Sequence, residues 1–323
     1  VSDRLWIWDY TTSFSHYLTP FPNLRILDDN IRFFIRNNVR GIFEEDNYQT
    51  PGGELSPLAG YMMAKFLWNP EYDENAAINE FLQAVYGPAA RPIRQYIDLL
   101  HDRAEKDTAH LTIGAGPFET FLSAELLHKA DMLWQKAEAS VADDAEKWQR
   151  VRTGRMSLDY VFLERARAMG QGLFKIDHKR YRLTPDRTFR ARASRFQETA
   201  AKTGLTHVRE GGANYAGWKS QLDSLMRLDK VTDLIPKPAL QPGPLQPGLE
   251  FIYLERSFER IPDFARESAV KTGVADEIDL RYAGRPVDFA MKFSGYIRVP
   301  ANGIYCFSMR SNEIGRASCR ERV

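Results

Sequence analysis

Two apolar runs that end in carboxylates mark the first seventy residues. Arg4-Leu-Trp-Ile-Trp-Asp-Tyr10 is the first, and Val39-Arg-Gly-Ile-Phe-Glu-Glu-Asp46 is the second. The segment 24–38 between them predicts a helix. This strand–helix–strand order is typical of a parallel sheet that is buried on both faces. Because the functional residues of such folds gather at the carboxyl ends of the strands, we expect a functional edge there.

A helical period dominates the chain from residue 55 to about 228. Leu58, Met62 and Phe66 lie on one flank of the first helix of this stretch. Amphipathic segments with short joints then predict antiparallel helical packing. The predicted helices cover 55–68, 76–86, 92–106, 118–142, 143–169, 187–202 and 215–227.

A proline-rich segment, 231–248, predicts a semi-rigid linker. After this segment, apolar and polar residues alternate with a period of two. The alternation predicts antiparallel strands over 249–254, 278–281, 288–299 and 303–310, with a hairpin turn at 300–303. The predicted organisation is therefore multidomain. Its parts are 1–70 with parallel strands, an α-helical domain at 71–230, the linker, and a β-domain at 249–312.

Composition narrows the function only a little. The 44 Lys and Arg residues nearly balance the 43 Asp and Glu residues, so the chain has no large positive net charge that would favour binding of nucleic acid. No apolar run is long enough to predict a transmembrane segment. We expect residues 313–323 to be the in-frame translation of a sequencing adapter. Cys306 is then a lone thiol, so neither a disulfide nor a metal site is predicted, and no cofactor is implied.

Three motifs near the start resemble a known family. Trp8-Asp-Tyr-Thr-Thr-Ser-Phe, Pro20-Phe-Pro-Asn-Leu24 and Gly41-Ile-Phe-Glu-Glu-Asp-Asn-Tyr48 are similar to the end of the domain-of-unknown-function family 4838. That family is similar to barrel glycoside hydrolases, especially alpha-glucuronidases and family-20 hexosaminidases. The resemblance implies the last two units of a TIM-like (β/α)8 barrel at 1–70, and a secreted, periplasmic or cell-surface location.

The C-terminal part carries a second resemblance. Gly248-Leu-Glu-Phe-Ile-Tyr-Leu-Glu and Phe293-Ser-Gly-Tyr-Ile-Arg-Val-Pro look like the protective-antigen-type (PA-fourteen) β-domain, here truncated. Such domains accompany glycoside hydrolases and adhesins as sugar-binding or spacer modules. The resemblance implies a partial antiparallel β-sandwich after the linker.

Glycoside hydrolysis needs two carboxyl groups that flank the scissile bond. Asp9 and Glu44 are the predicted catalytic pair. Alternate residues of a strand share a face, so Glu44 and Glu45 point apart, and we favour Glu44 for the pocket. The alternative is that these acids bind sugar hydroxyls or an arginine and move no proton.

The predicted substrate-binding residues are Trp8, Tyr10, His16, Glu45 and Tyr48. The flat aromatic rings among them suit stacking on pyranose rings, whereas Trp6 is expected to fill the gap between strands and helices. A lone loop histidine such as His16 is more often solvated. The arginine-rich runs 150–167 and 187–195 are interpreted as a solvated helix face and a basic cluster without a nucleic-acid role.

Together these patterns predict part of a carbohydrate-active protein that takes poly- or oligosaccharides. The parent is expected to be a glycoside hydrolase, and this chain is expected to be inactive because most barrel strands lie elsewhere. The main alternative is a non-catalytic glycan-binding or surface-scaffold protein. A third is a protein-interaction platform built on the helices.

Overall fold

A computed structural model describes residues 4–235, 238, 240, 242–258 and 261–305 of the chain. The predictions for Cys306, for the end of the strand at 303–310 and for the tail 313–323 lie outside the described residues. Among the described residues, one compact unit comprises 4–177 and 182–233, and the other comprises 178–181 and 234–305. The predicted boundary at residue 70 falls inside the first unit, and the longer part of the second unit, 234–305, begins within the proline-rich segment.

The first unit combines a parallel strand pair with eight helices and a small antiparallel sheet. Its strands are β1 (Leu5–Tyr10), β2 (Val39–Glu45), β3 (Phe174–Asp177), β4 (Arg182–Pro185) and β5 (Thr232–Asp233). Its helices are α1 (Leu27–Arg36), α2 (Ser56–Trp68), α3 (Glu74–Tyr86), α4 (Ala90–Lys106), α5 (Ala124–Ser140), α6 (Ala145–Met169), α7 (Arg187–Thr203) and α8 (Tyr215–Met226). None of the helices described is both long and apolar enough to cross a membrane.

The predicted strand–helix–strand unit is present. β1 and β2 pair in parallel, and α1 connects them. One face of the pair lies towards the helices, since Ile42 packs against the main hydrophobic core. The expectation that the sheet is buried on both faces was wrong, because the side chains of Trp6, Trp8 and Phe43 on the other face are mostly exposed.

The helices close over one large core. Residues from α1 to α6 contribute to it, including the fully buried Phe66, Tyr96 and Trp134. Side-chain caps explain several helix starts, because Asp73, Ser123 and Asp144 each accept a hydrogen bond from a backbone N–H of the first turn. A second core, around Phe196 and Trp218, joins α6, α7 and α8.

The arginine-rich helices are not simply solvated. Arg155, Asp159 and Arg192 are almost completely buried between α5, α6 and α7. Arg192 Nη1 and Arg195 Nη2 each lie 2.6 Å from Asp159 Oδ1, and Arg155 Nη2 lies 2.6 Å from Asp131. The interpretation of 150–167 as a solvated face, and of 187–195 as a basic cluster, was therefore wrong for these residues. The buried charges neutralise each other across three helices.

The second unit contains an antiparallel sheet with strand order β7–β6–β8, where β6 is Leu249–Leu254, β7 is Lys271–Ala275 and β8 is Ala290–Ser294. A small core forms around Phe251 and Tyr253. The strand predicted at 278–281 was wrong, because residues 280–282 form a 3-10 turn. Its start is capped by Asp279, which accepts from the backbone N–H of Arg281 at 2.7 Å.

Candidate functional site at the strand ends

Asp9 and Glu44 lie side by side at the carboxyl end of the parallel pair. Asp9 is the register partner of Glu44, one position before the end of each strand. Adjacent strands are about 4.8 Å apart, so the two carboxylates are close neighbours. The structure therefore brings the predicted pair together, on the half-buried face that also carries Ile7 and Ile42.

Glu44 occupies an environment that disfavours its charge. Both carboxylate oxygens are out of contact with solvent, and neither has a hydrogen-bond partner among the described residues. Burial first, and then the charge of Asp9, raise the pKa of Glu44 from its ordinary 4.5 to about 7. A carboxyl group of this kind holds a proton near neutral pH, as a general acid must.

Glu45 points the opposite way and joins a surface of aromatic rings. We call Trp6, Trp8, Tyr10 and Phe43 the aromatic face. Their exposed fractions are 78%, 65%, 44% and 56%. The indole N–H of Trp8 donates to Glu45 Oε2 at 2.6 Å, and the ring of Trp8 meets that of Phe43 edge-on at 5.0 Å between centroids. This arrangement gives flat apolar surfaces with a carboxylate acceptor at their edge.

Trp6 belongs to this face, and the expectation that it fills the space between strands and helices was wrong. Its ring lies across Gly41, its register partner on β2. A Cβ at Gly41 would lie only 2.2 Å from Trp6 Cζ3. Glycine at this position therefore lets the indole lie flat against the strand, where any other residue would displace it.

The loops that follow the two strands are tied together. We call residues 11–22 the first strand-end loop and residues 46–55 the second. Tyr17 donates its hydroxyl to Gln49 Oε1 at 2.9 Å, which joins the two loops. Asp46 accepts a hydrogen bond from Ser56 at the start of α2, and thereby anchors the second loop. The predicted site residue Tyr48 lies in this loop with an exposed ring.

A third segment, which no sequence pattern assigned to this site, reaches the same two loops. It is the α7–α8 loop, residues 204–214. Tyr48 donates its hydroxyl to Glu210 Oε1 at 3.1 Å, and the pKa of Tyr48 is raised by that bond, by burial and by the charges of Glu210 and Glu45. Only the Gly211-Gly212 pair marked this region, and it indicated merely a loop.

His16 has a different setting from the other predicted residues. Its Nδ1 lies 2.7 Å from the hydroxyl of the buried Tyr160 on α6. A Cβ added to Gly116 would lie 3.1 Å from His16 Cδ2, so the ring is also closely packed. His16 thus links the first strand-end loop to the helices, and its role as a sugar ligand stays a prediction.

The part of the chain that the structure describes was also searched for metal-binding clusters. Within the ranges described above, no group of three or more His, Cys, Asp or Glu side chains is arranged to hold a metal ion.

Comparison with known proteins gives one family match, and this site lies within the matched residues. Residues 1–98 match the family described as domain of unknown function DUF4838. The match includes β1, β2 and α1 to α3, and with them Asp9, Glu44 and the aromatic face. The predicted resemblance of the N-terminal part to this family is confirmed. No curated protein and no solved structure matches the chain.

Proposed function

We propose that this protein binds poly- or oligosaccharide on the aromatic face of its two parallel strands. The observation that carries the proposal is the contiguous exposure of Trp6, Trp8, Tyr10 and Phe43. Pyranose rings offer flat C–H faces to the rings and hydroxyl groups to Glu45, which is held beside Trp8.

Two features of the proposal extend beyond the parallel pair. We propose that β1 and β2 are the last strands of a TIM-like barrel of glycoside-hydrolase type, with its functional edge at the strand ends. We also propose that the sheet of the second unit is a PA-fourteen-like module, and that the protein acts outside the cytoplasm. The family match and the parallel pairing support the first of these.

The experiment is a calorimetric titration with three neutral probes: cellohexaose, xylohexaose and chitohexaose. We expect at least one to bind. Trp8→Ala should weaken that binding about tenfold or more, because a buried aromatic anchor at the centre of an interface is worth at least about 1.4 kcal/mol.

Trp68→Ala is the matched control. Trp68 is 91% exposed, at the end of α2, and is not on the aromatic face. Its removal should leave the affinity unchanged. Absence of binding to all three probes, or an equal loss in the two variants, would remove the basis of the proposal.

A second candidate function is hydrolysis of the glycosidic bond. It is favoured by the Asp9–Glu44 pair, because a protonated carboxyl beside a second one is the pairing that glycosidases use. Release of p-nitrophenol from aryl glycosides by the chain, lost in Glu44→Gln but kept in Glu45→Gln, would establish the hydrolase.

A further inference from the structure

Several hydrogen bonds join the α7–α8 loop to the second strand-end loop. The side-chain amide of Gln49 donates to the carbonyl of Gly211 at 3.0 Å and accepts from the N–H of Gly211 at 3.1 Å. Thr50 Oγ1 accepts from the N–H of Thr206 at 2.8 Å. A glutamine that satisfies both backbone groups of one residue fixes the two loops in a single register.

The same loop is also attached to the first strand-end loop. The N–H of Tyr17 donates to the carbonyl of Val208 at 3.0 Å, and the N–H of Glu210 donates to the carbonyl of Phe14 at 2.8 Å. The backbone of Glu210 is therefore held by one strand-end loop, and its side chain by Tyr48 of the other. This fixes the carboxylate of an exposed residue at the strand ends.

Two contacts and a short stretch of chain connect this carboxylate to the aromatic face. Glu45, the last residue of β2, accepts from the indole of Trp8, and Tyr48, three residues further along the chain, donates to Glu210. Both carboxylates also raise the pKa of Tyr48. Burial, and then the charges of Glu210, Tyr48 and Glu45, raise the pKa of Tyr17. The side chains that donate to Glu45, Asp46 and Glu210 are the uncharged groups of Trp8, Ser56 and Tyr48, so none of these hydrogen bonds brings a positive charge.

We propose that the α7–α8 loop forms a wall of the saccharide site, where Glu210 orients the hydroxyl of Tyr48 and selects uncharged sugars over uronic acids. This inference rests on the proposed function, which it extends by naming a positioning residue and a substrate class. A carboxylate accepts hydrogen bonds from neutral sugar hydroxyls, whereas it repels the carboxylate that every uronic acid carries.

Two substitutions separate the roles of Glu210. Glu210→Ala removes the acceptor of the Tyr48 hydroxyl and should weaken binding of the best neutral hexasaccharide about fivefold. Glu210→Gln keeps an acceptor but removes the charge. We expect it to retain most of the neutral affinity and to raise the affinity for hexagalacturonate relative to the neutral probe by about fivefold.

Glu198 supplies the matched control. It is an exposed glutamate on α7, away from the loop, and Glu198→Ala and Glu198→Gln should change neither affinity. A loop with a purely structural role would weaken both probes together and leave their ratio unchanged. The inference would be overturned if Glu210→Gln left the ratio of the two affinities unchanged. It would also be overturned if Glu210→Ala bound the neutral hexasaccharide with wild-type affinity.

The outcome is distinguishable from failure of the proposed function. One result is that the wild-type chain binds a neutral hexasaccharide through Trp8 while the Glu210 variants show wild-type affinities for both probes. That result refutes only the proposal that the α7–α8 loop forms a wall of the site. Tighter wild-type binding of hexagalacturonate than of any neutral probe would likewise refute the selectivity alone. If the wild-type chain binds none of the probes, both proposals fall.

Discussion

Replacing Glu44 by glutamine should stabilise the protein at high pH and not at low pH. Between pH 4.5 and about 7 the folded protein keeps a proton on Glu44 that the unfolded chain releases. The contribution of Glu44 to the free energy of unfolding is therefore complete below pH 4.5 and is lost as the pH rises towards 7. Glutamine cannot ionise, so the variant escapes this loss.

The size of the effect follows from the raised pKa. A rise from 4.5 to about 7 corresponds to about 3 kcal/mol, since one pH unit is worth about 1.4 kcal/mol. Although its carboxylate oxygens do not contact solvent, Glu44 as a residue is only half-buried, so we discount this value for screening by nearby water. We therefore expect Glu44→Gln to raise the free energy of unfolding by about 1 to 2 kcal/mol at pH 8, relative to its effect at pH 4.5.

Urea denaturation of the wild-type and variant chains at the two pH values measures this difference. Glu45→Gln is the control, because the neighbouring glutamate lies on the exposed face and accepts from Trp8. A carbon-13 titration of the glutamate carboxyl groups, with Glu44→Gln used for assignment, gives the pKa directly. Titration of Glu44 near 4.5, or a gain in stability that does not depend on pH, would refute the reasoning.

Two further predictions concern the helices. His101 accepts from the N–H of Leu24 at 3.0 Å and donates to the carbonyl of Ile97 at 2.8 Å, and burial lowers its pKa to about 4. As the pH falls from 6.5 to 4, the wild type should therefore lose up to about 3 kcal/mol of unfolding free energy relative to His101→Gln. Urea denaturation measures this difference, and a difference that stays constant with pH would contradict the prediction. Asp159→Asn should cost about 3 to 5 kcal/mol, because Arg192 and Arg195 lose a buried partner. Circular dichroism during denaturation measures this loss. Glu125→Gln is the control, because it breaks an exposed ion pair with Lys129 and should change the stability little. A similar loss of stability in the two variants would count against a buried network.

The helical part of the fold was largely readable from the sequence. The predicted helices at 55–68, 187–202 and 215–227 agree with α2, α7 and α8 within one residue at each end, because an amphipathic period and capping residues are local signals. The hairpin of β3 and β4 was missed, since four residues per strand give too short an alternation to stand out. The burial of Arg155 was missed because its partner Asp131 lies on another helix.

The candidate site was predicted only where local pattern determined it. Parallel pairing of two short runs was enough to bring Asp9 and Glu44 together. The exposure of Trp6 depends on what covers the sheet, and alternating large apolar residues look the same whether a face is covered or open. Glu210 lies more than 160 residues from Tyr48, and a single exposed glutamate in a loop carries no signal of such a contact.

The most direct test of the central claim is an NMR titration of the indole N–H signals with the three neutral hexasaccharides. Single substitutions assign the signals of Trp6 and Trp8 on the aromatic face, of the exposed Trp68, and of the buried Trp134 and Trp218. We predict that the Trp6 and Trp8 signals shift with a common saturation curve while the Trp134 and Trp218 signals stay in place. Signals of Trp6 and Trp8 that do not move at saturating sugar, or a shift confined to Trp68, would contradict a saccharide site on this face.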